Sequence, residues 1–454
     1  MQTIKTFLTN PIYLNSESFY PRCYDPVFLF VQEKLSKFPD LESFLARDVT
    51  GGSTPPYYLF KEKHEDGVPF IKTSAISRHF INTNDLHFID EDFHQKTIKR
   101  SITKPYDVIF SMTGKFMGKA AICPLTLDEV NISQNSVVLH SDNPCKSAYL
   151  TIFLNSIINQ QQVKGSYSIT KQKYLNQGKI SKLKIIPYNK DFNSNLENYL
   201  NGINDYYQSV EKINSIIEKF NLNYVNLDKD YNKCFSYLTP SKDMDKTILL
   251  PNKYRTDFTK IISKTPMTSL NLSMYKKNKG DEIGSKNYLF EGVPFIKTSN
   301  FLNYNVDYEP NYYCSDAIYN ELEQDIKIGD ILFTKDGKIG EVALVEENAK
   351  IAICAGINRI RPTSIEDRYL LFLLLSSDYG KIFFKKWSVI ASTMAHLRKD
   401  FYSDFLIPNI PDKDNYIKSL QTAFEMKKNA FNVIMNEKEL VVNKIFKNIN
   451  IDLL

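Results

Sequence analysis

Short apolar runs separated by turn residues fill most of this chain, and runs of the same kind occur in both halves. The first half contains VPFIKTS, DVIFSM and SVVLH, and the second contains DILFT, EVALV and NRIRP, with Gly, Pro and Asn turns between them. Runs of this length and composition are typical of β-strands. A short apolar helix is predicted after the strands of each half, over residues 149–158 and 369–376. The pattern therefore indicates two similar modules of strands and short helices.

A long helix is predicted at the end of each half, because apolar residues recur there at alternating steps of four and three. Such a heptad seam is the pattern of helices that pack along their length. The seams consist of Phe192, Leu196, Tyr199, Ile203, Tyr206, Val210, Ile213, Ile217 and Phe220 in the first helix, and of Ile417, Leu420, Phe424, Phe431, Ile434, Val441 and Ile445 in the second. Lys427 and Lys438 occupy two positions of the second seam, and we expect them to weaken it or to fix its register.

An internal repeat relates the two halves directly. The segment GVPFIKTS occurs at residues 67–74 and again, unchanged, at 292–299. Weaker matches pair 106–111 with 329–334, 114–115 with 337–338, 118–121 with 340–343, and 185–187 with 406–408. Upstream, Pro21, Tyr24 and Phe28 have the same spacing as Pro251, Tyr254 and Phe258. Self-similarity of this kind indicates two copies of one structural unit, at 21–220 and 251–446.

We therefore predict an α/β (α+β) fold with a pseudo-two-fold internal repeat, in which two long antiparallel, coiled-coil-like helices join two similar domains. The predicted boundaries are 1–188 for the first domain, 189–222 for the first long helix, 223–250 for a polar connector, 251–410 for the second domain and 411–454 for the second long helix. A helix over 192–220 is about 44 Å long at about 1.5 Å per residue. Such helices would act as a ruler that holds two DNA-reading heads about one turn of duplex apart. Because the heads have diverged, we expect two different half-sites around an unread spacer.

Composition argues against several classes of protein. The six cysteines are far apart and form no CxxC pair, so neither a zinc site nor a disulfide framework is expected, and a reducing cytoplasm is the predicted location. The chain has no uncharged apolar run of about 18 residues, and its first residues do not have the pattern of a secretory signal. The formal net charge of +5 is too small to decide for or against nucleic acid, so the position of the charges matters.

Candidate DNA contacts lie in loops that follow the repeated strands. Lys, Ser, Thr and Asn at strand ends are common donors to phosphates and base edges, and Arg and His residues follow closely. The candidates of the first half are Lys72, Thr73, Ser74, Arg78, Lys115, Lys119, Ser166, Tyr167 and Lys171. Those of the second half are Lys297, Thr298, Ser299, Asn300, Lys335, Lys338, Asn358, Arg359, Arg361, Ser388, His396 and Arg398. Solvated strand ends have the same composition, and the repetition is equally compatible with a turn that both folds need.

Three residues that lie close in sequence to these candidates have a structural interpretation that we prefer. Gly114 and Gly337 are expected to serve backbone conformation rather than the approach of a ligand. Trp387 is expected in the core rather than as a platform for a base.

Two motifs resemble catalytic signatures, and neither is complete. The segment TPPY at residues 54–57 is similar to the Asp/Asn-Pro-Pro-Tyr motif of amino-methyltransferases, but threonine is a poorer acceptor for the target amine, and no FxGxG loop for S-adenosylmethionine is present. Asp330, Asp336 and Lys338 have the spacing of a nuclease cluster, which the first half does not repeat. The chain also lacks a GxxxxGK[ST] loop for ATP and an HExxH motif. We expect no catalytic residues and no bound metal.

Taken together, these motifs resemble the specificity subunit of type I restriction-modification systems. The resemblance rests on the paired GVPFIKTS segments, on DVIFSMTGKFMGKAAI and DILFTKDGKIGEVAL after them, on the IIP and LIP strand ends, and on the long helix after each. It covers nearly the whole chain and implies that each domain is a target recognition domain for one half of a bipartite DNA site. One departure is that GGSTPP of the first domain stands roughly where the second has GSKNY, so we expect the domains to approach DNA differently at that edge.

The resemblance also implies partners and cofactors. Two methylation subunits would dock on this chain and supply S-adenosylmethionine binding and adenine methylation. Motor-nuclease subunits, where present, would add translocation and cleavage that depend on ATP and Mg. The chain itself would bind double-stranded DNA, no cofactor and no membrane. Two alternatives stay open: a DNA-recognition subunit of another phage-defence system, and a stand-alone DNA enzyme.

Overall fold

The computed structural model of the protein describes residues 25–61, 67–169, 173–225, 267–391 and 394–448. These residues divide between two compact units, of which the first comprises Met1–Gln208 with Asn429–Leu454 and the second Ser209–Lys428. Each unit therefore contains one globular domain and part of each long helix. Several predicted features lie outside the described residues, namely Pro21, Tyr24, Lys171, Pro251, Tyr254, Phe258 and most of the 223–250 connector.

Short strands and helices form the globular part of the first unit, as its turn-bounded runs predict. Its strands are β1 (Thr50–Gly51), β2 (Phe60–Lys61), β3 (Val68–Ile71), β4 (His87–Ile89), β5 (Val108–Ser111), β6 (Ala120–Ile122), β7 (Asn131–Ile132), β8 (Ser136–Leu139), β9 (Ser168–Ile169) and β10 (Lys173–Tyr174). Its helices are α1 (Pro26–Leu35), α2 (Glu91–Lys96), α3 (Pro144–Asn155), α4 (Ile157–Ser166) and α5 (Gln177–Ser181), and the long α6 (Asn193–Tyr224) follows. Two four-stranded sheets have the orders β1-β8-β5-β6 and β2-β4-β3-β7, and β9 pairs with β10.

The second unit has a similar set of elements. Its strands are β11 (Met267–Asn271), β12 (Lys276–Lys279), β13 (Val293–Ile296), β14 (Phe301–Leu302), β15 (Asn305–Val306), β16 (Tyr313–Cys314), β17 (Ile331–Thr334), β18 (Val342–Leu344), β19 (Ala352–Ile353), β20 (Ile357–Arg361), β21 (Ser388–Ala391), β22 (Met394–Leu397) and β23 (Leu406–Pro408). Its helices are α7 (Asp316–Leu322), α8 (Ile365–Ser376), α9 (Asp378–Lys386) and α10 (Asp400–Asp404), and the long α11 (Lys413–Asn448) follows. The larger sheets have the orders β12-β20-β17-β18 and β16-β13-β19.

The internal repeat is reproduced in the strand pairing. In the first unit β5 pairs antiparallel with β6 and β8, and in the second β17 pairs antiparallel with β18 and β20. The repeated VPFI strands, β3 and β13, each have a parallel neighbour, β7 and β19. The sequence repeat is therefore a repeat of sheet topology, and residues at matching positions are structurally equivalent.

The central strand β17 is buried on both of its faces. Alternate residues of a strand point to opposite sides of the sheet. Ile331 and Phe333 pack into the core that also contains Phe372 and Phe401, whereas Leu332 packs into the core around β13 and β19. Burial on two sides explains why this strand has a continuous apolar run rather than alternating polar residues.

A serine with an extended backbone separates two consecutive helices in each unit, α3 from α4 and α8 from α9. Helix α3 ends at Asn155. The next residue, Ser156, has an extended backbone, and its Oγ accepts a hydrogen bond from Asn159 N at 3.5 Å, within the first turn of α4. Ser377 has the same extended backbone between α8 and α9. The helix predicted at 369–376 is confirmed, but the one predicted at 149–158 is interrupted, because a serine cap competes with continued helical hydrogen bonding.

The two long helices pack against each other in opposite directions within each unit. In the first unit, Asn198 of α6 donates to Glu437 of α11 at 3.2 Å. Asn195, one turn earlier in α6, accepts from Lys444 at 2.6 Å, later in α11. Rising residue numbers in one helix therefore meet falling numbers in the other, which confirms the predicted antiparallel arrangement.

The same direction holds in the second unit, where Lys212 Nζ lies 3.4 Å from the Met426 sulfur and the ring centroids of Phe220 and Tyr416 are 5.7 Å apart. Every predicted seam residue is buried except Phe431, which is half-buried. The heptad pattern thus identified the packed face of both helices. Within the described ranges, no helix combines the length and apolar character needed to cross a membrane.

Lys427 is a fully buried cation in the seam of the second unit. Its Nζ donates to the backbone oxygen of Asn303 at 2.9 Å. Burial lowers the pKa of Lys427, and burial also raises the pKa of nearby Glu346 to about 7. Lys438, the other predicted seam lysine, is only half-buried, with its Nζ 3.6 Å from the Met435 sulfur. The effect of both lysines on the strength or register of the seam stays a prediction.

Candidate nucleic-acid interface

Backbone hydrogen bonds connect two of the predicted DNA-contact loops in the second unit. These loops are residues 297–299, which follow β13, and residues 335–338, the Gly-Lys loop that follows β17. Cys354 N donates to the last carbonyl of β13 at 2.9 Å, and Lys335 N donates to Gly356 O at 2.8 Å. The turn at 354–356 therefore lies between the two loops and links them at one edge of the unit.

The first unit makes the same connection with different side chains. Ser133 N donates to Ile71 O at 3.0 Å, and Met112 N donates to Asn135 O at 2.9 Å. The Gly-Lys loop of this unit follows β5, and Gly114 has a positive φ of 65°, like Gly337 with 75° in the second unit. Both glycines therefore serve backbone conformation, as predicted.

A β-hairpin, β21–β22, lies against the Gly-Lys loop of the second unit. Leu397 N donates to Lys335 O at 2.8 Å, and Gly337 N donates to Ala395 O at 2.9 Å. This pairing brings the hairpin, with the predicted residues His396 and Arg398, to the edge formed by the other two loops.

Asp336 positions two basic side chains at this edge. Its carboxylate lies 2.7 Å from Lys335 Nζ and 2.7 Å from His396 Nδ1. A neighbouring cavity of about 250 Å³ is lined by Ile339, Gly340, Lys381, Phe384, Lys385, Ser388 and Ala395. The predicted residue Ser388 therefore lines a hollow that has lysines on its wall, and its Oγ donates to Lys385 O at 3.0 Å.

The hairpin β9–β10 takes the corresponding place in the first unit. Leu175 N donates to Met112 O at 3.0 Å, and Thr113 forms an isolated bridge with Tyr174. The predicted residues Ser166 and Tyr167 lie just before this hairpin. Lys179 Nζ donates to Ser166 O at 2.8 Å, and Lys173 Nζ lies 5.3 Å from the Tyr167 ring centroid.

The repeated lysine that follows the VPFI strand rests on an aromatic ring in both units. Lys72 Nζ lies 4.9 Å from the Phe60 ring centroid, and Lys297 Nζ lies 4.4 Å from Tyr288 and 4.7 Å from Tyr312. Both lysines are half-buried. A cation–π contact limits the positions of the ammonium group without neutralising it, so each lysine is held in place beside the edge.

Matching glycines fix the edge strand of each unit against the turn between the loops. Gly52 N donates to Ser136 O at 3.1 Å, and Gly280 N donates to Ile357 O at 3.0 Å. A Cβ on Gly52 would lie 2.3 Å from Ile132 O, and one on Gly280 would lie 2.3 Å from Ile353 O. Gly52 is therefore equivalent to Gly280. The expectation that GGSTPP corresponds to GSKNY was wrong, because GGSTPP corresponds to the earlier segment that begins at Lys279.

Arg359 and Arg361 both bind partners within the fold. The burial of Arg359 contradicts its prediction as a DNA contact, whereas the predicted role of the half-buried Arg361 stays a prediction. Arg359 is completely buried and donates to the backbone oxygens of Gln324 and Asp325 at 3.0 and 2.7 Å. Arg361 makes two hydrogen bonds to Asp330, at 2.7 and 2.8 Å, and this pairing raises its pKa. The basic strand NRIRP is therefore neutralised from within the fold.

Lys119, Asn300 and Asn358 are also buried, which contradicts their prediction as DNA contacts. Lys119 is 2% exposed, with its Nζ 3.5 Å from Ser77 Oγ. Asn300 is 8% exposed and its side chain accepts from Lys297 N at 2.9 Å, so it shapes the loop. Asn358 is 8% exposed and lies in β20, where it is paired with Lys279 of the edge strand β12.

The remaining predicted contacts have accessible side chains, and their role stays a prediction. Several of them have acidic neighbours: Ser74 Oγ lies 3.3 Å from Asp85, Lys338 Nζ 2.8 Å from Glu341, and Arg398 Nε 3.0 Å from Asp400. The exposed residues are Ser74, Lys115, Ser299, Lys338, His396 and Arg398, and the half-buried ones are Lys72, Thr73, Arg78, Ser166, Tyr167, Lys297, Thr298, Lys335 and Ser388.

Neither of the two incomplete catalytic motifs assembles a site. Asp330 is 1% exposed and bound to Arg361, whereas Asp336 pairs with Lys335 and His396. Tyr57 of the TPPY segment is 92% exposed. Across the described part of the chain, no group of three or more His, Cys, Asp or Glu residues is arranged to hold a metal ion. Trp387 is 4% exposed and donates to Asp404 at 2.7 Å, so it belongs to the core, as predicted.

Sequence reasoning missed a lysine-rich strand at the same edge. Lys276, Lys277, Asn278 and Lys279 form β12, and all four side chains are exposed. The run KKNK was visible in the sequence, but it precedes Gly284, the residue that the sequence comparison of the two domains paired with the GGSTPP segment.

The two units are diverged copies of one fold, and each has loops with hydrogen-bond donors at one edge and a share of two antiparallel helices. No protein-family model matches the chain, and no curated protein matches it. Solved structures with a similar fold include the type I restriction-modification S subunit from M. genitalium, at 12% identity over 92% of this chain and 96% of that chain, with a TM-score of 0.32.

The HsdS subunit from Thermoanaerobacter tengcongensis is similar at 14% identity over 90% of this chain and 96% of that one, with a TM-score of 0.28. A chain from a study of complex assembly and conformational transition of the type I R-M system is similar at 15% identity over 90% and 97%, with a TM-score of 0.29. These proteins are of the class that the repeated motifs resemble.

Proposed function

We propose that this chain is the sequence-specific DNA-recognition subunit of a type I restriction-modification complex. The observation that carries the proposal is the repeated edge: in each unit, the same backbone hydrogen bonds join the loop after the VPFI strand, the Gly-Lys loop and a hairpin. Lys, Ser and Thr side chains, which are donors to phosphates and base edges, emerge from these loops. Each unit would contact one half of a bipartite site.

The two half-sites would differ, because matching loop positions carry different side chains. Where the second unit has Lys335 and Asp336, the first has Met112 and Thr113. His396 of the second hairpin pairs with Asp336, whereas Tyr174 of the first hairpin bridges to Thr113. Base-edge recognition depends on the pattern of donors and acceptors, so these edges would select different bases. That the long helices set the spacing between half-sites stays a prediction.

Partner subunits would supply the chemistry. Two methylation subunits would bind S-adenosylmethionine and methylate adenine, and motor-nuclease subunits, where present, would use ATP and Mg to translocate and cleave DNA. This division of labour is supported by the residues themselves: the acidic groups that resemble a nuclease cluster are engaged in ion pairs, and the TPPY segment lies on the surface. A cytoplasmic location follows from this role as a prediction.

The proposal is tested by methylation-sensitive long-read sequencing of the host genome with the gene intact and deleted. A bipartite adenine-methylation motif that disappears on deletion, and returns with the gene on a plasmid, is the expected result. If every methylated motif persists, the chain does not direct a methyltransferase there, and a recognition subunit of another phage-defence system becomes the better hypothesis. Methyl transfer by the purified chain alone would instead favour a stand-alone enzyme.

A further inference from the structure

The strand β12 lies at the edge of its sheet, next to the candidate interface. Its last residue, Lys279, is paired with Asn358 of β20, and the preceding β20 residue, Ile357, is paired with Thr334, directly before the Gly-Lys loop. The end of β12 at Lys279 therefore lies at the same end of the sheet as the 335–338 loop.

The lysines of β12 belong to two different faces. Alternate strand residues point to opposite sides, so Lys277 and Lys279 share one face and Lys276 belongs to the other. Lys277 Nζ lies 5.0 Å from the Tyr402 ring centroid and 3.3 Å from Ser273 O. Tyr402 packs on the same core as Leu397 of the hairpin, so Lys277 and Lys279 lie on the hairpin side of the sheet.

The environment of Lys276 is different. It is paired with Arg361 across the two strands. The hydrogen bond from Arg361 is the main cause of the lowered pKa of Asp325, and the charge of Lys276 adds to it. Lys279, by contrast, has no ion pair with any residue that the structure describes. The two lysines on the hairpin side therefore have positive charge available for an external anion, whereas the charge of Lys276 acts in part on the Asp325 carboxylate of its own unit.

The first unit has no counterpart of these charges. Because Gly52 is equivalent to Gly280, the positions of Lys277 and Lys279 are occupied there by Val49 and Gly51, and that of Lys276 by Asp48. The two units are thus alike in their loops but differ in the charge of the adjoining edge strand.

Resting on the proposed function, we propose that Lys277 and Lys279 bind the phosphate backbone of DNA and make the second unit the electrostatic anchor of the complex. Phosphate contacts add affinity for any sequence and position the protein, whereas base contacts select the sequence. The first unit, without such a strand, contributes selectivity with less salt-dependent affinity. The competing explanation is that lysines on an edge strand only prevent it from pairing with other chains.

The test measures how DNA binding by the assembled complex with its methylation subunits depends on salt, with a fluorescently labelled duplex of random sequence. Each lost phosphate contact lowers the slope of log affinity against log salt by about 0.9. The double variant Lys277→Gln/Lys279→Gln is expected to lower it by about 1.8. Raising salt from about 50 to about 200 mM would then weaken wild-type binding about 12-fold more than variant binding.

The matched control is Lys276→Gln/Lys350→Gln, which removes the same net charge. Lys276 is on the same strand but the opposite face, and Lys350 pairs with Asp316 at 2.7 Å. The control should keep the wild-type slope. An unchanged slope in the Lys277/Lys279 variant, or an equal fall in the control, would overturn the proposal. Self-association of that variant with an unchanged slope would identify edge protection instead.

Two further measurements separate failure of this inference from failure of the proposed function. If the wild-type complex does not bind duplex DNA at low salt, the proposed function fails. If it binds and the ratio of specific to random affinity falls in the Lys277/Lys279 variant, these lysines read bases and are not an anchor. Thermal unfolding of the variant should match that of the wild type, since both side chains are exposed.

Discussion

Replacing Gly280 with alanine should destabilise the second unit, because the edge strand approaches the turn between the two loops closely at this residue. A Cβ at Gly280 would lie 2.3 Å from both Ile353 O and Cys354 O. These are backbone atoms and have no rotamer through which to move away. Relief therefore requires that β12 shifts outward, away from the hydrogen bonds that hold it.

The magnitude follows from those contacts. Forcing extra volume into a packed site typically costs about 1–3 kcal/mol. The shift would also weaken the bonds from Gly280 N to Ile357 O and from Asp281 N to Ile353 O, both 3.0 Å long. A typical backbone hydrogen bond contributes about 1 kcal/mol net. Lower chain entropy in the unfolded alanine variant offsets about 0.4–1 kcal/mol. We expect a net loss of about 2–4 kcal/mol in the free energy of unfolding of the second unit.

Urea denaturation followed by hydrogen exchange measures this loss and locates it. Gly280→Ala should lower protection from exchange in β12 and β20, and Gly52→Ala should do the same in β1 and β8. Gly284→Ala is the control: its φ of 71° is strained for alanine, but no atom lies within 4 Å of the added Cβ. It should cost about 1–3 kcal/mol, from the strain of a positive φ with an extended ψ alone, and should leave protection in β12 and β20 unchanged. A Gly280→Ala variant as stable as the wild type would refute the close approach and the equivalence with Gly52.

Three further predictions concern the charges. Asp330→Asn should destabilise the second unit by about 3–5 kcal/mol in chemical denaturation, because it leaves Arg359 and Arg361 without their buried carboxylate. Arg398→Ala, at an exposed residue, should change stability little. A larger loss of stability in Arg398→Ala than in Asp330→Asn would contradict the structural role of Asp330 and its arginines. Burial raises the pKa of Glu346 to about 7 from an ordinary value near 4.5. The protonated carboxyl therefore stabilises the fold below about pH 4.5, and this stabilisation is lost as the pH rises to about 7. Glu346→Gln should flatten the dependence of melting temperature on pH between these values, and an unaltered profile would refute the assignment. Lys72→Ala and Lys297→Ala should each weaken binding to all DNA sequences and lower the salt slope by about 1, whereas lost selectivity at a single base pair would identify a base contact instead.

Much of the architecture was predictable because it depends on local periodicity. The heptad seam of α6 identified its buried residues from Phe192 to Phe220, since a helical stripe is visible in sequence. The identical GVPFIKTS segments predicted equivalent strands, and β3 and β13 have the same parallel pairing. The interruption at Ser156 was not predictable from apolar spacing, because a serine cap leaves that spacing intact.

The candidate interface was less predictable because a basic residue in a strand does not reveal which face it occupies. Arg359 and Arg361 form a basic strand in the sequence, yet their partners Asp325 and Asp330 come from a turn distant in the chain. Lys277 and Lys279 also belong to a basic run, KKNK, but their side chains are exposed. Which cations a fold neutralises depends on long-range pairing, which sequence spacing does not encode.

The matching residues Asp107 and Asp330 explain why the repeat conserves some polar positions and not others. Asp107 accepts from Lys104 N at 2.8 Å and lies 2.7 Å from His140 Nδ1. Asp330 accepts from Lys327 N at 2.8 Å and binds Arg361, at the position that matches His140. The aspartate is retained because it closes the turn before the central strand, whereas the basic side chain that it binds differs between the units. Identity between the halves therefore marks what the fold requires, and the search for DNA-reading residues should concentrate on exposed loop positions where the halves differ.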